Sequence, residues 1–161
     1  MSEKRIRQIL IFQVGRLSLG MDVDYVSSIV RDQEITEIPT PVPNVLGITY
    51  QQGTCIPVFS LKKSLNLGKT QAPPDAVIIT RLRKGLLALP IDGVKEISDL
   101  KEGDLQGVPN IISAGQVGYL SNVASVKGQL ISLVNPDRLI SDEEKSALDA
   151  MIKKLENEKK D

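Results

Sequence analysis

The sequence predicts a mainly β chain in which two copies of one small β unit pack together, with a helix at the C-terminus. Three observations carry this. The runs of strand-forming residues are short and punctuated by Gly and Pro. The second half echoes the first at an offset of about 70 residues. The hydrophobic period then changes to a helical one after Ile140. Many short strands with such turns build barrels or a sandwich. Each unit alone is near the size at which a core becomes marginal, so the two are expected to pack together.

In the first half, Ile9 to Val14 is a run of strand formers, Gly15-Arg16 a tight turn, and Leu17 to Met21 its hairpin partner. Asp22 is placed to cap a short helical turn through Val26. Ser27 to Arg31 and Ile35 to Ile38 read as further strands. The prolines of Pro39-Thr40-Pro41-Val42-Pro43 cannot donate ladder hydrogen bonds, which makes this segment a stiff connector or an exposed edge. Leu46 to Tyr50 and Thr54 to Leu61 form a hairpin turning at Gln51-Gln52-Gly53. Pro57 inside its second arm suggests a strand end, an edge or a bulge. Gly68 to Asp75, polar and proline-rich, is the linker between halves.

The second half repeats this order. Ala76 to Thr80, the turn Lys84-Gly85 and Leu86 to Ile91 match the first hairpin. Asp92 to Ile97 echoes Asp22 to Ile29, with Val94 and Ile97 answering Val26 and Ile29. Lys127 to Val134 echoes Gln52 to Phe59. Leu148, Met151, Ile152 and Leu155 follow helical spacing. Ser141 with Glu144 is a capping box at the start of that helix.

The composition excludes most chemistry. The 161 residues hold 20 Lys+Arg, 20 Asp+Glu, no His and one Cys. Without His there is no Ser-His-Asp or Cys-His arrangement, no His-ligated zinc and no phosphohistidine. Cys55 alone makes neither a disulfide nor a cysteine cluster, and reads as a small buried hydrophobe. No phosphate loop is present; Gly115-Gln116-Val117-Gly118 lacks the spacing. No catalytic residue, metal or cofactor is therefore expected. Zero net charge and 3% aromatics argue against nucleic acid. The apolar run Ile9 to Val14 is far shorter than the roughly 20 residues of a membrane span, so a cytoplasmic protein is expected. A chain of this kind most plainly binds other proteins through strand edges, turns and the groove between its lobes.

Particular residues carry a family likeness. Phe12-Gln13-Val14-Gly15, Leu19-Gly20-Met21-Asp22-Val23, Val26 and Ile29 open it. Ile38-Pro39, Pro43-Asn44-Val45-Leu46-Gly47-Ile48 and Gly53-Thr54-Cys55-Ile56-Pro57-Val58-Phe59-Ser60-Leu61 continue it. Ile91-Asp92-Gly93-Val94 and Leu133-Val134-Asn135-Pro136-Asp137-Arg138-Leu139 close it. In order and spacing these resemble the chemotaxis adaptors of the CheW family and the related regulatory domain of the CheA histidine kinase.

The resemblance implies one CheW-like domain over 6–140 built as two five-stranded SH3-like barrels. Lobe 1 spans about 6–68 and lobe 2 about 75–140, with strands open to exchange between them; the helix takes 141–161. It implies a non-catalytic adaptor, monomeric in isolation and recruited to receptor arrays. Such an adaptor joins the cytoplasmic hairpin tip of a chemoreceptor to the kinase. Receptor binding falls on Val26, Ser28, Ile29, Gly47, Ile48 and Gln52, and kinase binding on the edge at Ile35 and Ile38. Gly47 would supply the small residue that a closely approaching receptor helix needs. Val26, Ile29 and Ile48 would floor the groove.

Two positions depart from the family pattern. Ser28 stands where the family has Glu and Gln52 where it has Arg, a charged pair lost as a unit. The resemblance implies that these positions face each other across neighbouring strands. A second reading follows from their loss: a binding module of the same fold that caps or competes in arrays, or serves a non-flagellar pathway, without activating kinase.

Overall fold

The computed structural model describes residues 7–68, 74–106 and 118–159. Most of the linker (69–73) and of the Gly115–Gly118 run (115–117) lies outside them.

The chain opens with the hairpin β1 (Arg7–Val14) and β2 (Leu17–Asp22), then β3 (Val26–Val30), β4 (Ile35–Glu37), β5 (Val45–Gln51), β6 (Thr54–Phe59) and a short helix α1 (Leu61–Ser64). The second half repeats this as β7 (Ala76–Leu82), β8 (Gly85–Ile91), β9 (Gly93–Leu100), β10 (Leu105–Gln106), β11 (Leu120–Val126) and β12 (Gln129–Val134), and ends in α2 (Asp142–Lys159). Strands β1 to β8 and β12 coincide with the sequence reading to within a few residues, and β9 falls on the stretch that the repeat aligns with Asp22 to Ile29. The second half's β10 and β11 carry no clear signal, since Leu-Ser-Asn-Val-Ala-Ser-Val mixes strand formers with Ser, Asn and Ala.

The strands form two six-stranded sheets, ordered β10-β11-β12-β2-β1-β9 and β4-β5-β6-β8-β7-β3. The resemblance implies five strands in each; the surplus is supplied by β10, two residues long, and β4, three residues long. β9, at one end of the first sheet, also touches β11, next to the other end, so that sheet curls on itself.

Under the repeat, β1 and β2 correspond to β7 and β8, and β3 to β6 correspond to β9 to β12. The two sheet orders are then the same order. Each half, however, lends its opening hairpin to the other half's sheet. β2 runs parallel to β12 at Leu19–Ser132 and Gly20–Leu133, and β8 runs parallel to β6 at Val58–Ala88. A sheet is therefore not one contiguous half of the chain.

Pro57 lies in an interior strand and is buried, opposite Ile48, contrary to the end, edge or bulge that its chemistry suggests. The parallel seam between β6 and β8 is a single registered position, and a seam that short tolerates a residue without an N–H.

The hairpin turns repeat as well. Gln52 and Gly53 have φ of 51° and 80°, and Lys127 and Gly128 have 52° and 78°. Two successive positive φ angles in a two-residue loop match the right-handed twist of the flanking strands.

Three clusters fill the interior. Ile9, Ile11, Leu100, Ala124, Ile131 and Leu133 pack inside the first sheet. Ile56, Val58, Val77, Ile79 and Ala88 pack inside the second. The largest cluster joins the two: Leu10, Phe12, Leu19 and Met21 from the first sheet meet Phe59, Ile78, Leu87 and Leu89 from the second. Alternation along the exchanged hairpins sends one face into a sheet and the other into this shared core. Phe59 and Tyr119 meet edge to face within it, with ring centroids 6.3 Å apart. Helix α2 covers one flank through Leu148 and Ile152. Its capping box is formed: Ser141 N–H donates to Glu144 Oε1 at 2.8 Å, and Glu144 N–H to Ser141 Oγ at 3.0 Å.

Two carboxylates tie hairpin turns to the opposite sheet. Asp92 accepts the Gly15 N–H at 2.5 Å and pairs with Lys62 at 3.1 Å. Asp137 accepts the Arg83 N–H and the Tyr25 hydroxyl, each at 3.1 Å. The side chain of Asp22 caps the turn that holds Tyr25, by accepting the Asp24 N–H at 2.9 Å.

Asp137→Ala should cost about 1 kcal/mol in urea unfolding, because it removes a hydrogen bond from the partly buried Tyr25 hydroxyl and another from the exposed Arg83 N–H. Partial burial first, and the Asp137 hydrogen bond second, raise the Tyr25 phenol above its ordinary 10.0. A raised folded-state value gives stability that is intact below the unfolded value and is lost as pH rises past it. Unfolding midpoints should therefore fall above about pH 10, and less steeply in Tyr25→Phe.

Candidate partner-binding site

The expected site residues fall in two places on the second sheet. Val26, Ser28 and Ile29 lie on β3, at one end of its strand order. Gly47, Ile48, Gln52 and Ile35 lie on the β4-β5-β6 side, at the other end, with Ile38 just past β4.

On β3, Ile29 registers with Ile78 of β7, whose side chain belongs to the shared core, and Ser28 with Ile79, which belongs to the interior of the second sheet. A bulge between Val26 and Ser28 shifts the phase. Val26 therefore also faces the shared core and packs against it. Ile29 is 38% exposed, a large apolar residue at the margin of that core. Val26 and Ile29 are thus brought together on one partly open face.

Ile48 is not with them. It sits on β5 opposite Pro57 and Thr36, only 5% exposed, with β6, β8 and β7 between it and β3 in the strand order. The same order separates Ser28 from Gln52. Ser28 partners β7, and Gln52 is an exposed turn residue at the tip of the β5–β6 hairpin. The two positions therefore do not lie on hydrogen-bonded neighbouring strands, as the resemblance implies they would. The likeness supplies the residue types but not the pairing order of strands far apart in sequence.

Gly47 is also reassigned. It is buried, and it registers with Glu37 on β4. A Cβ there would overlap the Thr36 carbonyl oxygen and stand 2.8 Å from Glu37 Cα and 2.9 Å from Ile38 N. The close approach that requires glycine is the chain's own edge strand, not an incoming helix. Beside it, Ile38 N–H donates to the Leu46 carbonyl at 3.1 Å and continues the pairing past β4.

Ile35 is half-buried against the interior cluster of the second sheet. Ile38 lines an open cleft of about 600 Å³, walled by Glu37, the Pro39–Pro43 segment and Lys63. Pro39, Pro41 and Pro43 are exposed, while Val42 is buried. The hydroxyl of Thr40 lies within hydrogen-bonding reach of the Val42 and Val45 carbonyls, at 3.0 and 2.9 Å. Three residues without an N–H follow β4, so the ladder cannot lengthen there.

Sequence reasoning missed the matching face of the first sheet as a surface. On β9, Val94 and Ile97 register with Phe12 and Leu10, and they are 39% and 59% exposed. The repeat had already aligned them with Val26 and Ile29, which was the signal available. Among the described residues, no group of three or more Cys, Asp or Glu side chains is placed to hold a metal. No helix among them is long and apolar enough to cross a membrane.

A mainly β chain of two like sheets that exchange hairpins, with partly open apolar strand faces, defines a protein-binding module. A family model for the CheW-like domain matches residues 8–144, and the chain belongs to that family. It is similar to the chemotaxis protein CheW of Rhizobium meliloti (strain 1021), 26% identical over 144 residues, which cover 88% of this chain and 92% of that one. It is similar also to the chemotaxis protein CheW of Klebsiella aerogenes, 23% identical over 148 residues, covering 91% and 89%. The crystal structure of the scaffolding protein TtCheW from Thermoanaerobacter tengcongensis shares the fold, with a TM-score of 0.72 at 24% identity over 81% of this chain and 89% of that one.

Gly47→Ala should lower stability by at least about 2 kcal/mol in urea unfolding, since backbone must move to admit a methyl group. Gly47→Asp should lose partner binding and folding together. A Gly47→Asp protein with unchanged stability would show that β4 is free to move away.

Proposed function

We propose that this chain is a non-catalytic chemotaxis adaptor that couples the cytoplasmic hairpin tip of a chemoreceptor to a CheA-type histidine kinase, working in the cytoplasm. The observation that carries this reading is the pair Val26 and Ile29. It puts apolar surface on a terminal strand, at the margin of the core between the sheets, in a chain of the CheW-like family. A receptor tip is helical, and a helix offers apolar side chains three or four residues apart to such a face. Ser28, between them and half-buried, brings no charge to the contact. The kinase's regulatory domain is assigned to the other end of the same sheet, at Ile35, Ile38 and the cleft beside them.

A second reading is favoured by one observation. Ser28 and Gln52, both uncharged, stand where the family has a charged pair. A module without that pair could occupy the adaptor's place and leave the kinase inactive. Kinase activity in a reconstituted mixture of receptor, kinase and this chain separates the two readings.

Ile29→Asp should weaken receptor binding by tenfold or more, about 1.4 kcal/mol, and leave stability and kinase binding near the parent values. Ile38→Asp should do the reverse. The measurement is titration calorimetry of each variant against each partner. Loss of both partners from either folded variant would overturn the two-surface assignment.

A further inference from the structure

Among the described residues, strand β9 ends the order of the first sheet, with β1 as its ladder partner and a small contact to β11, and its residues Val94, Lys95, Glu96 and Ile97 are all exposed. Four consecutive exposed residues are unusual in a strand with one buried face. The bulge explains their arrangement. Glu96 registers with Ile11 and Val94 with Phe12, which leaves Lys95 as the extra residue. Val94 and Ile97, three apart, thereby share the outer face, and Lys95 and Glu96 lie between them.

The order apolar, basic, acidic, apolar complements itself when reversed. Laid antiparallel on a second copy about the Lys95–Glu96 midpoint, Val94 meets Ile97, Lys95 meets Glu96, and each pair occurs twice. We propose that Val94–Ile97 is a self-recognition edge, through which two copies of this chain associate antiparallel about a twofold axis. Opposite charges and apolar pairs directly across such a strand pair are the favourable combinations.

The charged groups have capacity left for this. Lys95 Nζ donates to Ser18 Oγ at 2.8 Å and retains further protons. Glu96 accepts from Lys127 Nζ and Ser98 Oγ through Oε1 alone, both at 2.8 Å. A formal net charge of zero sets up no long-range repulsion between copies. The bulge and a lysine together blunt an edge against general pairing. A copy of the same stretch is the partner that answers Lys95 with Glu96, so the device selects its own kind. The bulge also keeps the backbone ladder short, and association is accordingly weak.

Sedimentation velocity from about 10 µM to about 1 mM tests this, a range suited to a contact well below the usual interface size. The weight-average mass of the parent chain should climb from 17.6 kDa toward twice that value. Lys95→Glu and Glu96→Lys, each folded by circular dichroism, should stay monomeric across the range. An equimolar mixture of the two should associate, because one then presents two acids to the other's two bases. The variant carrying both reversals should associate like the parent. A parent chain monomeric at 1 mM, single variants that associate as the parent does, or a mixture that stays monomeric would each overturn the proposal.

Discussion

The exchange of hairpins between halves is the constraint on which the rest of the structure depends. Neither half completes its own sheet. β9 to β12 enclose Ile131 and Leu133 only when β1 and β2 insert, and β3 to β6 enclose Ile56 and Val58 only when β7 and β8 do. The inserted hairpins carry apolar residues on both faces, as strands buried on both sides must. One face, Ile9 and Ile11, fills a sheet; the other, Leu10 and Phe12, builds the core between sheets. Two units that would each be marginal alone thus become one cooperative body. The carboxylates Asp92 and Asp137 act on the same exchange, since each fixes the turn of an inserted hairpin.

The surfaces available to partners follow from this arrangement. The exchange buries the middle of each sheet and leaves β3 and β9 at corresponding ends of the two orders. Their outer faces border the core between sheets without being covered by it, so Ile29 and Ile97 remain open while Ile78 and Leu10 beside them do not. At the other end of the second sheet, β4 is pressed against Gly47 and halted by prolines. That end offers a cleft in place of an extendable edge.

Local features were legible in the sequence because their causes are local. The Gln52-Gly53 and Lys127-Gly128 turns, the Asp22 cap and the Ser141–Glu144 box each lie within a few residues and follow from side-chain chemistry. The repeat was legible because both copies meet the same packing demand. The exchange was not, since strand alternation tells which face is buried and not which strand lies alongside. The grouping of the expected site residues depends on that same information. A glycine such as Gly47 announces a close approach without naming what approaches, and Ile48 looks like groove floor until its neighbours are known. Pro57 read as a strand end, an edge or a bulge because the shortness of the β6–β8 seam is a tertiary fact.

The two corresponding strands combine one backbone device with different central residues. Val26-Ser27-Ser28-Ile29 and Val94-Lys95-Glu96-Ile97 have the same apolar spacing, and a bulge falls between the apolar residues of each. Both therefore turn a Val and an Ile onto one face beside the shared core. Only the central pair differs, two hydroxyls on β3 and two opposite charges on β9. A neutral centre admits an apolar helix without stranding a charge, whereas a charged centre requires a partner that supplies the opposite charges in the right order. The geometry comes from the repeat, and what distinguishes the two faces is two side chains on each strand. Divergence at those positions can change partners while the cores, which depend on the flanking Val and Ile only at their margins, stay intact.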